Sequence, residues 1–228
     1  MTDTLTSPRI SPRTTSRSAL SAPSAAVRAT MTAGVAAGPL FLAAGLIQGA
    51  ARDGFDFTRN ALSQLALGED GWIQAVNFAV AGALLLAGAG GLRRTLRGRP
   101  GGTWGPALVA VFAVSFWLAA AFPADTGAGF PAGAAEETVM TGHGTVHMAA
   151  GTVGYLALCA AFLVLARPLA AAGHRGWARA SRIVPVVVLA GFMASATAVL
   201  AFTCGAGLGM LWLSAITTRL TTGSTTTH

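Results

Sequence analysis

The stretch TGHGTVHMAAG (141–151) sets two histidines, His143 and His147, four residues apart, where a polar loop enters a long apolar run. Residues four apart on a helix share a face, so both imidazoles join one stripe with Gly151, Gly154 and Leu158. A helix N-terminus carries partial positive charge. It favours neutral imidazole, the form that ligates metal. Two histidines at this spacing suit one Zn²⁺. Asp125 is then the natural third ligand, with Glu136 and Glu137 in reserve, and a water in the open fourth position would have its pKa lowered to about 7. Against this, Gly144 follows His143, so the HExxH pattern is absent, and HxxxH alone is a weak signal. A hydrogen-bonded or ligand-contacting role and a purely structural one stand beside metal binding, and spacing does not choose among the three.

The elements that must position these groups are membrane spans. Of 228 residues, 53% are hydrophobic and 10% charged, against about 25% charged in a soluble domain. Mean hydropathy is +0.61, and the apolar residues gather into runs near the roughly 20 residues that cross a bilayer. The expected fold is all-α, a polytopic transmembrane bundle at 31–220. Residues 1–30, rich in Ser, Thr, Pro, Ala and Arg, and 221–228 are expected to be disordered tails. A signal peptide is a weaker reading of the N-terminus than an uncleaved first helix, because the polar lead is long and the run is of membrane length.

Apolar segments fall near 32–51, 72–92, 104–122, 144–166, 183–203 and 205–220. The last would rise only about 24 Å, and the glycines of FTCGAGLGM (202–210) are expected to break the run into a hairpin of two helices. Six helices are therefore expected, or five if 183–220 is continuous. All 15 basic residues are arginines, and 13 of them alternate with the spans onto one side. Seven of the eight acids lie on the other side. Cytoplasmic loops are rich in Arg and Lys, so the N-terminus is expected inside and the acidic loops outside. This patterning explains the net charge of +7 better than nucleic-acid binding does. Cys159 and Cys204 both fall in apolar segments without a CxxC.

Gly34, Gly38, Gly45 and Gly49 share a stripe of the first span, an arrangement that lets helix backbones approach. Trp72, Trp104 and Trp177 read as interface anchors, Trp117 and Trp212 as packing residues. In the first acidic loop, DFTRNALSQLALGEDGW (56–72), Thr58 is expected to cap a short helix with Leu62, Leu65 and Ala66 on one face. That helix would hold Ser63 and Gln64 near the mouth of the bundle. Ser63 is either an ordinary surface residue or an assisting hydrogen-bonding group.

ALSQLALGEDGWIQAVNFAVAGALLLAGAGGLRR (61–94) resembles the signature of the domain-of-unknown-function 998 (DUF998) membrane proteins. FPADTGAGFPAG (122–133) followed by GHGTVH (142–147) resembles a second block of that family. The resemblance covers roughly 32–220 and draws attention to Ser63, Gly68, Trp72, Asn77, Asp125, Gly129, Pro131, His143 and His147. It carries no firm activity. A more distant likeness joins the order Ser63, Asp125, His143, His147 to the zinc-dependent lipid amidases of the alkaline ceramidase and adiponectin-receptor type, by analogy only.

These residues give a first functional expectation: an outward-facing, metal-dependent hydrolase of lipid esters or amides in a bacterial plasma membrane. Asp125, His143 and His147 would hold zinc, and Ser63 would assist. The alternative is a non-catalytic membrane protein that binds a lipid or a partner helix. Transport ranks below both, because no charged residue falls in a span centre.

Overall fold

The structure, a computed structural model, describes residues 24–222. Residues 1–23 and 223–228, the outer parts of the expected tails 1–30 and 221–228, lie outside that range. Among the described residues the chain is all-helical, with six helices long and apolar enough to cross a membrane. They are α1 (Ala25–Ala51), α2 (Gly71–Thr95), α3 (Trp104–Ala121), α4 (Gly142–Ala171), α5 (Arg175–Met193) and α6 (Val199–Thr222). Ser24 caps α1 by accepting the Val27 N–H, so this helix begins inside the stretch expected to be a tail.

Each helix packs against its neighbours in sequence, and α6 returns to α1, which closes a ring of six. The short connections at 96–103, 172–174 and 194–198 favour this order for three of the pairs, since antiparallel neighbours need only a few residues to join. Phe41, Phe78, Phe112 and Phe116 fill the core, with ring centroids 5.0–5.6 Å apart along the contacting pairs. Phe162, Leu158, Leu165 and Met210 extend it.

The two-helix end of the chain stands as expected, but the break lies elsewhere. The turn falls at Ala194–Thr197, and α6 runs for 24 residues, which is about 36 Å and ample for a bilayer. The three glycines expected to break it are contact points within it. A Cβ on Gly205 would meet Gly191 Cα at 3.4 Å, one on Gly209 would meet Leu158 at 3.2 Å, and one on Gly207 would meet Leu42 at 3.5 Å. Between packed helices, small residues set close approach and do not end the helix.

The glycine stripe of α1 divides its work. A Cβ on Gly34 would fall 2.7 Å from Gly88 Cα of α2, and one on Gly38 would fall 2.9 Å from the Met210 carbonyl of α6. Gly45 and Gly49 instead receive Leu62 and Phe57 from the loop that follows. Trp72 and Trp104 are exposed at helix ends, as expected of anchors. Trp177 instead stacks on Trp212 at 5.2 Å, and Trp212 Nε1 donates to Ser181.

Candidate functional site at the acidic end

Two loops roof the acidic end of the bundle. The first, 52–70, contains a short 3-10 helix at Leu62–Ala66. Thr58 does not cap it. Its N–H and hydroxyl both donate to Asp56 Oδ1, at 2.8 and 2.7 Å. Those bonds, with the nearby Arg59 charge, hold the Asp56 carboxyl below its ordinary range. The helix starts three residues further on, where the Gln64 side chain accepts the Ala61 N–H at 3.0 Å. An Asx-type turn offered Thr58 a nearer partner than a helix did.

The second loop, 122–141, is sewn to the first. Gln64 Nε2 donates to the Gly127 carbonyl at 3.2 Å, and buried Asn60 donates to the Ala128 carbonyl at 3.4 Å. Arg59 pairs with Glu136. Arg52 donates to the Leu65 and Leu67 carbonyls, and its guanidinium lies 5.5 Å from the Phe130 ring centre. Leu62, Leu65 and Phe130 form a small core beneath. The result is a lid with its own apolar floor, seated on Gly45 and Gly49 of α1.

Asp125 sits where this lid meets α4. Its Oδ1 accepts the Thr141 hydroxyl at 2.6 Å, and its Oδ2 accepts the Thr141 N–H at 3.1 Å. Thr141 in turn caps α4 by accepting the Gly144 N–H at 3.1 Å. A Cβ at Gly144 would collide with the Asp125 carboxylate, so glycine at this position is what lets the carboxylate lie over the helix end.

The two histidines part company. His143 is exposed, its ring edge-on to Phe122 at 5.4 Å. His147 is buried, with Nδ1 2.8 Å from the Phe122 carbonyl oxygen and its ring 6.3 Å from that of Phe78. A carbonyl only accepts, so Nδ1 carries a proton and, in the neutral ring, Nε2 carries the lone pair. No hydrogen bond reaches Nε2 among the described residues. Asp125, His143 and His147 are thus neighbours around Phe122 but engaged separately. Among the described residues no three of His, Cys, Asp or Glu stand together where they could hold one metal ion. Ser63 is half-buried on the lid, and its side chain makes no hydrogen bond among the described residues.

Three amides were not assembled by sequence reading. Gln48, Gln74 and Asn77 form a cluster between α1 and α2, just under the lid. Asn77 enters the sequence reading only through the family resemblance. The available signal was the spacing of Gln74 and Asn77, one helical turn apart in an otherwise apolar helix. Beside these sites an open apolar groove of about 530 Å³ runs between α3 and α4. Its walls include Ala107, Val111, Val114 and Leu118 of α3 and Val146 and Val153 of α4. His143 continues the Val146–Ala150–Val153 stripe of α4 beyond the acidic end of the groove.

The family model for proteins of unknown function DUF998 matches residues 35–219, most of the chain. The chain belongs to the DUF998 family. The matched span of this DUF998 protein takes in nearly the whole bundle and every lid residue named above. No curated protein and no solved structure matches it. With six spanning helices, this DUF998 chain is a multi-pass membrane protein.

Proposed function

We propose that this protein binds a membrane lipid, with one acyl chain in the α3–α4 groove and the polar end beside His143 and Phe122. The observation that carries the reading is the groove itself. It is open sideways and lined mainly by alanine and valine, and His143 stands beyond its acidic end on the same stripe of α4. Burying an acyl chain against such walls gains packing contacts that a flat helix surface does not offer. The division of arginines and acids supports placing the lid outward and the protein in a plasma membrane. Nothing charged lies inside the groove, so an uncharged chain is the matching occupant.

Native mass spectrometry of protein extracted in mild detergent tests this. Co-purified lipid is expected on the wild type and is expected to fall at least tenfold on Ala149→Trp, which fills the groove from its exposed wall. Equal retention by both proteins would refute the proposal.

A second reading, hydrolysis of a lipid ester or amide, is favoured by one observation. The Nδ1–H of His147 is tied to a backbone carbonyl, the arrangement that orients metal-binding and proton-accepting histidines. Zinc held by His147, His143 and Asp125 would share the Asp125 carboxylate with Thr141. Metal analysis of the purified chain and of His147→Ala separates the readings: zinc bound to the wild type and lost in the variant supports the second, and zinc in neither removes its metal-dependent form.

A further inference from the structure

The three amides under the lid are fixed in orientation by their own bonds. Gln48 Nε2 donates to the Ala44 carbonyl at 3.1 Å and to Gln74 Oε1 at 2.8 Å. Asn77 Nδ2 donates to the Phe41 carbonyl at 3.1 Å and to the same Gln74 Oε1 at 3.0 Å. Turning any one amide over would face acceptor with acceptor or donor with donor. Both lone pairs of Gln74 Oε1 are therefore spent, and among the described residues Gln74 Nε2 and Gln48 Oε1 are each left buried without a partner. Gln74 is 0% exposed. Buried amides normally find partners, and in apolar surroundings an unmet donor and acceptor together are costly.

We infer that Gln48 and Gln74 form a binding recess for an uncharged hydroxyl, placed between α1 and α2 beneath the lid. The chemistry follows from what is free. One donor and one acceptor, held together by a 2.8 Å bond between their amides, match a group that both accepts and donates. A carboxylate or phosphodiester has no proton to give Gln48 Oε1, and an ammonium has no lone pair for Gln74 Nε2. No ionised side chain hydrogen-bonds to the cluster, so a charged guest finds no counter-ion there. The hydroxyl comes either from water or from the alcohol end of a membrane lipid. The lid packs on the same end of α1 through Leu62 on Gly45 and Phe57 on Gly49. This recess is separate from the α3–α4 groove and does not depend on it.

The experiment compares the full chain with Gln74→Leu and Gln48→Met in phosphatidylcholine nanodiscs, with and without added diacylglycerol or triacylglycerol, and follows thermal unfolding. If a lipid alcohol occupies the recess, diacylglycerol raises the melting temperature of the wild type, triacylglycerol does not, and both variants lose the shift. If water occupies it, neither lipid shifts the wild type, and an experimental map shows ordered solvent within hydrogen-bond distance of Gln74 Nε2 and Gln48 Oε1. No lipid shift together with no solvent at those atoms would overturn the inference. So would a diacylglycerol shift retained by both variants. Gln48→Met carries the test if Gln74→Leu does not fold, because it leaves the Asn77–Gln74 bond in place.

Discussion

The Asp125 carboxylate and Thr141 lock to each other through two hydrogen bonds, one to the hydroxyl and one to the backbone N–H. Through them the start of the second lid loop is tied to the cap of α4. Thr141 is the cap of that helix, so the pair sets where α4 begins and thereby where His143 and His147 stand.

Breaking this lock should loosen α4 without removing any core side chain. Asp125→Ala and Thr141→Ala are each expected to destabilise the protein by about 1–2 kcal/mol, the usual worth of a cap with charge-assisted bonds. The double variant should cost little more than either single one. Unfolding in detergent titrated with denaturant reads this out. Fully additive losses would show that the two residues act apart.

Glycine substitutions should divide by what each glycine faces. Gly49→Ala drives a methyl to 2.6 Å from Phe57 and is expected to lower stability by about 1–3 kcal/mol through overpacking. Gly151→Ala meets nothing within 4 Å and is expected to add about 0.5–1 kcal/mol, since alanine outranks glycine inside a helix. The same melting curves check both, and a loss at Gly151 would contradict the open space around that position.

Two arginines of the lid should differ sharply. Arg59 and Glu136 pair with side chains 50% and 69% exposed, so Arg59→Ala is expected to change stability by under about 1 kcal/mol. Arg52 serves two carbonyls and the Phe130 face at once. Arg52→Ala is expected to cost about 2–3 kcal/mol, and Arg52→Lys should not restore it, because an ammonium lacks the planar fork. Protease sensitivity of the 52–70 loop gives an independent measure of lid opening.

Acid should open the first lid turn before it affects the bundle. The folded state holds the Asp56 carboxyl below its ordinary 3.8 through the Thr58 side-chain and backbone bonds. Its contribution is complete above 3.8 and is lost as the pH falls through the lower folded value. Amide exchange at Thr58 should accelerate below that point, and Asp56→Asn should remove the pH dependence. An acceleration centred at or above 3.8 would refute this account of the turn.

Much of the architecture was legible because it is written locally. Hydrophobic runs mark spans wherever they occur, and among the described residues most arginines gather at one end of the bundle and the acids at the other, in the fold as in the sequence. The loop before α2 announced its short helix through Leu62 and Leu65, although Thr58 misdirected the cap by taking Asp56 as a nearer partner. The glycines of 202–210 misled for a related reason. Glycine weakens an isolated helix, yet in α6 the same residues let Gly191, Leu158 and Leu42 approach, a gain that exists only once neighbours are in place.

The amino-acid order alone therefore determined that the chain is a helical membrane bundle with polar loops at an acidic end, and that histidines open its fourth span. Only the tertiary structure decided what those groups face. Asp125 turned to Thr141 and His147 to the Phe122 carbonyl, and Gln48 met Gln74 across two helices. The reason is reach. Span formation depends on the burial of consecutive residues, which a short window contains, whereas a hydrogen bond between side chains 26 positions apart depends on how the helices pack, which no window of sequence holds.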